Sequence, residues 1–324
     1  MFCKVCGEKL TPNNLYSKDK RFCDSCGTKH SEYIKDRRNT LQSLREMNLE
    51  SKIIQTKYLI KQAVAEFGLD HVYISYSGGK DSTVLSHIAK SIYPDILHLF
   101  ANTTNEYPET LQHIKWEKDC NGTNIISVLP IDGHGESWNF KKVVCHYGYP
   151  MFSKRIANAI RTCQHALTER TQNNSLEYID RNFKISDKCC EKLKKYPLKR
   201  KARELGLKCS IIGILASESY QREKDWLEYG CNVFHERKDN QSRPLSFWTE
   251  EDIQEYIDRY NVRISDLYYM GYKRNGCMYC GFGVNLEEDG KNRYQRLKQT
   301  HPAQYNYFVK NFGDLMISFD IPFS

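Results

Sequence analysis

Thirteen cysteines in 324 residues are the first chemistry this sequence offers, and they are unevenly spread. Cys3-x-x-Cys6 is followed, after sixteen residues, by Cys23-x-x-Cys26, which is the spacing of a four-thiolate tetrahedral zinc site. Gly7 and Gly27 follow the two pairs, where tight turns bring backbone amides toward sulfur. A zinc ribbon at residues 1–30 is expected, with a redox dithiol pair as the alternative. Its neighbours Lys4, Lys9, Lys18, Lys20, Arg21 and Lys29 offer a nucleic-acid surface, or the ribbon simply completes a small fold that lacks its own core. Cys189 and Cys190 are adjacent, and Cys277-x-x-Cys280 follows after 86 intervening residues. Taken alone, these four are either one metal centre or two buried thiols beside an unrelated zinc knuckle. Cys163 has Arg161 and His165 close enough in sequence to lower its pKa, so it is a candidate nucleophile, or else a core cysteine on a helix. Cys120, Cys145, Cys209 and Cys231 show no ligand spacing and read as structural.

The second signal is the hexapeptide Ser77, Gly78, Gly79, Lys80, Asp81, Ser82. HVYISY at 71–76 is β-branched and aromatic, and Thr83, Val84, Leu85, Ile88 and Ala89 follow at helical spacing. The hexapeptide therefore lies between a strand and a helix, where backbone amides and the helix N-terminus favour an anion, and two glycines let the chain close around phosphate oxygens. Its spacing is neither that of the loop with four residues between Gly and Gly-Lys nor that of the dinucleotide fingerprint. The plain alternative is a glycine turn with a capping serine.

The elements around these motifs follow from periodicity. Residues 31–66 read as a helical connector, with apolar residues at Leu41, Leu44, Met47, Ile53, Tyr58 and Ala65. Strands are expected at 71–76, 96–100, 125–129 and 209–215, separated by helices, which implies a doubly wound, mostly parallel sheet in an α/β domain over 67–245. TEEDIQEYIDRY has a threonine N-cap and an acidic first turn, and opens a C-terminal helical subdomain over 246–324. No internal repeat or low-complexity tract is present. A hydrophobic fraction of 40% and a charged fraction of 27% are ordinary for a globular chain. The net charge of +8, from 48 Lys and Arg against 40 Asp and Glu, favours anionic partners or is a solvated basic surface. No stretch is long and apolar enough to span a bilayer, and the N-terminus has no apolar signal region, so a cytoplasmic protein with reduced thiols and no membrane partner is expected.

SGGKDS in this context resembles the signature of PP-loop ATP pyrophosphatases, which have an adenine nucleotide alpha hydrolase-like fold and usually cleave ATP between its α and β phosphates. The resemblance implies that Ser77, Ser82 and the Gly78 and Gly79 amides hold pyrophosphate oxygens. Lys80 would supply positive charge, and Asp81 would orient the loop or a magnesium ion. Further segments resemble the sulfonucleotide reductase branch, in the same order along roughly residues 60–285. Asn102 to Thr110 is similar to that branch's segment ending in Phe-Pro-Glu-Thr. GILASESYQR at 213–222 is similar to its strand and loop with Glu-Ser and a following Arg, here Glu218 and Arg222, and PLSFWTEEDIQEYI resembles its Pro-Leu, Trp-Thr, Asp-Ile and Tyr-Ile pattern. Adjacent Cys189 and Cys190 with Cys277 and Cys280 resemble the four ligands of the [4Fe-4S] cluster of adenylyl-sulfate reductases. Lys188, Lys192, Lys194, Lys195 and Arg274 would offset cluster and phosphate charge, or are solvated.

One departure stands out. Those reductases carry their nucleophilic thiol in a Glu-Cys-Gly tail, and this sequence has no cysteine after Cys280. The resemblance thus implies an ATP-dependent enzyme of the phosphoadenosine phosphosulfate (PAPS) reductase type that adenylylates an acceptor, releases pyrophosphate, and transfers sulfur or electrons beside the cluster. Its relatives include sulfurtransferases that install phosphorothioate sulfur in DNA, so a nucleic-acid substrate and a sulfur-donor protein are candidate partners besides a small nucleotide. Two rivals remain: a reductase of adenylyl sulfate or PAPS proper, and a nucleic-acid-binding regulator that keeps the nucleotide pocket without turnover.

Overall fold

The computed structural model describes residues 2–17, 19–132, 134–162, 183–235, 239–287 and 290–323. The N-terminal turns lead into α1 (Asp24–Arg45) and α2 (Leu49–Phe67). The helical connector expected over 31–66 is thus built of two helices. The chain breaks at Asn48, whose side chain accepts from Ser51 N at 2.9 Å and starts α2 afresh. The remaining elements are β1 (Val72–Tyr76), α3 (Lys80–Lys90), β2 (His98–Ala101), α4 (Pro108–Asp119), β3 (Ile125–Val128), α5 (Phe140–Tyr147), β4 (Met151–Phe152) and α6 (Lys154–Thr162). After them come α7 (Lys188–Cys190), a π-helical turn (Glu191–Lys195), α8 (Tyr196–Glu204), β5 (Cys209–Ile212), α9 (Tyr220–Tyr229), β6 (Asn232–Val233) and β7 (Asn240–Ser242). α10 (Glu250–Tyr260), β8 (Gly281–Phe282), α11 (Arg293–Thr300) and α12 (Pro302–Ser318) complete the order.

The six-stranded sheet has the order β3-β2-β1-β5-β7-β6, and every pairing is parallel except β6 with β7. This is the α/β, mostly parallel sheet expected from the alternation of strands and helices. Because successive strand residues face opposite ways, Val72 and Ile74 join the apolar core with Ile60 and Ala63 of α2 and Val84 and Ile88 of α3, while Tyr73 and Ser75 turn toward Leu198 and Ala202 of α8. Helices therefore cover both faces. The chain steps outward from β1 to β2 and β3, then returns to the other side of β1 with β5, so the order reverses between β1 and β5. In open α/β sheets ligands bind outside the strand carboxyl ends at such a reversal. The glycine loop leaves β1 at that point.

A second apolar core joins Phe140, Tyr149, Met151 and Ile160 to Tyr279, Tyr294, Phe308 and Phe312. The two-stranded parallel sheet of β4 and β8 lies at its edge. α10 packs instead with the sheet core through Ile253, Tyr256 and Ile257. The packing therefore crosses the 245/246 boundary drawn from sequence. A third small cluster holds Cys3, Phe22 and Cys23, with Leu10, Tyr16 and Cys26 against it. Among the described residues, no helix is long and apolar enough to cross a membrane.

Candidate functional site

The glycine loop is built by glycine chemistry at one residue above all. Gly78 has φ +72°, and a Cβ there would meet Ile114 Cδ1 at 3.1 Å, so both its conformation and its surroundings exclude side chains. Gly79 has an ordinary extended φ of −81°. A Cβ on it would face the Tyr268 hydroxyl at 3.3 Å. Ser77 Oγ lies 3.0 Å from Ser82 Oγ and accepts from Gly79 N at 3.3 Å, while Ser82 Oγ donates to Gly79 O at 2.9 Å. Thr83 supports the same carbonyl from its amide and its hydroxyl. Below it, Tyr76 Oη is 3.1 Å from Thr83 Oγ1 and 3.0 Å from His113 Nε2. The loop is held by its own serines from within and by buried hydroxyls from beneath.

Distant segments complete it. Lys80 N donates to the Tyr268 hydroxyl at 2.9 Å, and burial pushes that phenol up to about 12. Asn275 Nδ2 donates to Ser77 O at 3.3 Å while its Oδ1 accepts from Thr110 at 2.7 Å. The Lys80 ammonium is paired with the Glu250 carboxylate. Gly213, at the end of β5, comes so close that a Cβ there would sit 2.9 Å from Asp81 O. The segment that follows brings Glu218 and Arg222 together as an ion pair. Burial, then the Arg274 charge, makes the Arg222 guanidinium easier to deprotonate than usual, with Asp81 opposing. Burial also raises the Asp81 carboxyl, and its Oδ1 has no hydrogen-bond partner among the described residues. All of Ser77 to Ser82, Glu218 and Arg222 thus converge at the reversal point. The sequence reading did not anticipate Tyr268, Asn275 or the Glu250 contact. Glu250 was visible only as an acidic first-turn residue of α10.

Two cavities open at the loop. One, of about 550 Å³, runs between the sheet and α8 and includes Ser75, Ser77, Phe100, Glu106, Lys194 and Asn275 in its wall. The other, of about 410 Å³, lies on the far side of Lys80 among Glu250, Gln254, Tyr268, Tyr272 and Arg274.

The second cysteine set adjoins wall residues of the larger cavity, Glu106, Lys194 and Gly276. Cys277 pairs in backbone register with Glu106, Met278 N donates to Asn105 O at 2.8 Å, and Cys277 Sγ is 3.8 Å from Thr103 Oγ1. Cys189 Sγ and Cys190 Sγ are 4.0 Å apart, at the start of the π-helical turn. The hydrogen bond from Cys189, then the charges of Lys154, Lys194 and Lys195, lower the Cys190 thiol to about 6. Cys189 is raised by its partner and by burial, with smaller contributions from Cys280 and Cys277, so all four thiols feel one another. Burial pushes Cys280 up to about 12. Lys194 is held protonated chiefly by Cys277 and also by Glu106. It also lines the larger cavity, a position the lysine run alone did not reveal.

The N-terminal cysteines are arranged differently. The ligand atoms of Cys3, Cys6, Cys23 and Cys26 all lie within 4.8 Å of one another, the only group of three or more candidate ligands among the described residues to do so. A zinc ion with Zn–S bonds of about 2.3 Å fits such spacing. Gly7, with φ +73°, makes the turn expected after the first pair. Gly27 does not. It sits in α1 under the Tyr16 ring, whose Cγ would be 2.1 Å from a Cβ added at Gly27. Cys23 caps α1 and Cys26 is in its first turn. The second cysteine set falls outside the single-ion spacing, and its four thiols match the thiolate-only ligand set of an iron–sulfur cluster in type. Cys163 lies outside the described residues. Of the cysteines read as structural, Cys209 is buried and Cys231 Sγ accepts from Trp226 Nε1 at 3.3 Å, whereas Cys120 and Cys145 are exposed.

Comparisons with known proteins bear on this site. An uncharacterized protein of Methanocaldococcus jannaschii is 21% identical over 288 residues, covering 88% of this chain and 57% of that protein. A protein of Mycolicibacterium smegmatis named adenosine 5'-phosphosulfate reductase is 32% identical over 114 residues, covering 35% of this chain and 46% of its own. The chain thus spans about half the length of these curated relatives. A crystal structure of phosphoadenylyl-sulfate reductase from Candida auris superposes with a TM-score of 0.47 at 16% identity, covering 74% of this chain and 93% of that one, a level that bears on neither substrate nor mechanism. Residues 71–148 and 149–282 match the family described as phosphoadenosine phosphosulfate reductase domain, and the chain, with its glycine loop at 77–82 inside that match, belongs to this family.

Proposed function

We propose that the protein is a PP-loop enzyme that binds ATP or an adenylyl nucleotide at Ser77–Ser82 and directs chemistry at the α phosphate toward the thiols of Cys189, Cys190, Cys277 and Cys280. The observation that carries this reading is the amide-rich glycine loop at the sheet reversal, opening on a cavity whose wall includes Lys194, the lysine that Cys277 holds protonated. The Gly78 and Gly79 amides and the hydroxyls of Ser77 and Ser82 receive phosphate oxygens. Incoming phosphate takes the place of Glu250 on Lys80. Arg222, eased from Glu218, adds a second cation, and the unpartnered Asp81 oxygen faces a magnesium ion or orients the loop. The base enters the larger cavity between the sheet and α8. Adenylylation of an acceptor forms the bond from its nucleophile to the α phosphorus and breaks the α–β bridge, with pyrophosphate as leaving group.

A [4Fe-4S] cluster on the four thiols would supply electron transfer or sulfur activation. Lys194 and Lys195, in the wall of the larger cavity, would offset the negative charge of such a group and of the nucleotide, and Arg293, donating to Cys280 O at 3.0 Å, fixes the Cys-x-x-Cys turn. Zinc at Cys3, Cys6, Cys23 and Cys26 would serve structure. A small nucleotide is the first partner of such a site, with a nucleic-acid acceptor and a sulfur-donor protein completing the reaction. The relative named adenosine 5'-phosphosulfate reductase favours a second reading, reduction of adenylyl sulfate, in which Cys163 is the remaining candidate thiol.

Anaerobically prepared protein separates these readings. The first expects ATP binding that Gly79→Val abolishes, and pyrophosphate release once an acceptor is present. The second expects thiol-dependent sulfite release from adenosine 5'-phosphosulfate. Unchanged ATP affinity in a folded Gly79→Val protein would overturn the assignment of the loop.

A further inference from the structure

The family match ends at residue 282, and α11 and α12 lie beyond it, meeting at His301 and Pro302. His301 is only 5% exposed, and its side chain does not cap the helix it precedes. The ring turns instead toward the first turn of α4. Its Nε2 lies 3.0 Å from Glu109 Oε2 and its Nδ1 2.7 Å from Thr300 Oγ1. A carboxylate has only lone pairs to offer, so His301 donates to Glu109. The Tyr107 and Tyr272 rings flank it, with centroids at 5.4 and 6.2 Å.

Both hydrogen-bond partners lead to the glycine loop. Glu109 stands in the first turn of α4, next to Thr110, which donates to Asn275, which donates to Ser77 O. Thr300 Oγ1 is 2.9 Å from the Tyr272 hydroxyl, and Tyr272 shares the smaller cavity with Lys80. The Glu109 carboxylate is 12% exposed, and a carboxylate so placed is costly without a donor. Loss of the imidazole would release the first turn of α4, and Thr110, Asn275 and Ser77 would move with it.

We propose that His301 is a positioning residue for the glycine loop, holding α4 through Glu109 and Tyr272 through Thr300 in the arrangement that receives phosphate. This inference rests on the nucleotide reading of residues 77–82. The test is ATP affinity of the full chain by calorimetry, with unfolding temperature followed in parallel. His301→Ala is expected to weaken ATP about ten-fold, as loss of a buried charged hydrogen bond does. Glu109→Ala, which removes the acceptor, should weaken it similarly, and the double variant should be no worse than the worse single one, because both break one link. His301→Gln, which keeps a donor toward Glu109, should recover most of the affinity, whereas His301→Asn should not. This last pair decides the matter if the alanine variant does not fold. Equal affinity in the Gln and Asn variants, or additive losses in the double variant, would overturn the proposal. A wild-type protein that binds no adenine nucleotide would instead overturn the nucleotide reading itself.

Discussion

At the scale of single residues, the hexapeptide 77–82 announces its anion site because its chemistry is local: two glycines, two serines and a lysine between a strand and a helix. Its supports are not local. Tyr268 and Asn275 contact it from 188 and 198 residues away, and no periodicity within one segment marks a hydroxyl or an amide as destined for another. Gly78 rather than Gly79 carries the left-handed conformation, which the pair of letters alone left undecided. Asp81 gives a pH test. Burial raises its carboxyl from the ordinary 3.8, Glu250 adds to this, and Lys80 and Arg222 oppose it. A carboxyl raised in the folded state contributes stability fully below 3.8, and that contribution is lost as pH rises through the raised value. Ionised Asp81 therefore weakens the ligand-free protein at neutral pH. Asp81→Asn should raise the unfolding midpoint at pH 7 by about 2 °C, with the gain vanishing below the ordinary aspartate value. A gain that is the same at both pH values would count against the burial argument.

Elements were legible where a cap or a run of β-branched residues marked them. Thr249 caps α10 through a capping box with Asp252, as TEEDIQEYIDRY indicates. The expected strands β1, β3 and β5 lie within their segments, and β2 is shifted a residue or two toward its C-terminal end. The 31–66 segment is helical as read, but its apolar spacing continues through Asn48, and only the cap geometry shows the break into two helices. The approach of β5 to the glycine loop was not legible either, since Gly213 reads as one more strand residue. It is tested directly. A Cβ at Gly213 meets backbone of the loop rather than a flexible side chain, so Gly213→Ala should push Asp81 and Ser82 outward. Its ATP affinity should fall about ten-fold, with a destabilisation on the order of 1–3 kcal/mol, as for overpacking elsewhere. Denaturant unfolding and ATP titration of the same preparation would show both losses, and a neutral Gly213→Ala would mean that the loop yields without consequence.

At the scale of the whole molecule, the sheet order and the two apolar cores place the thiol sets apart. The segment carrying Cys3 to Cys26 docks on α9 through α1: Arg37 stacks on Trp226 with 4.4 Å between guanidinium carbon and ring centroid and donates to Trp226 O, and Arg45 pairs with Glu223 at 3.0 Å. Cys23→Ser should therefore remove one zinc per chain and lower the unfolding temperature while leaving the iron content and its brown chromophore unchanged. Cys277→Ser should do the reverse, bleaching the chromophore and sparing the zinc. Metal analysis of the two variants, purified without oxygen, checks both, and zinc at the second set in place of iron would leave that set a structural clamp.

The spacing of the two sets also fixes the order in which they can close. The first spans Cys3 to Cys26, a short loop with a small entropy of closure. The second needs Cys190 and Cys277 brought together across 86 residues that include β5, α9 and β7. A chain growing from its N-terminus can gather the first four thiols once Cys26 has emerged, while most of the sheet is still unmade. The second four cannot assemble until Cys280 is synthesised and β5 has found its place beside β1, so any cluster they hold is delivered to a nearly finished fold.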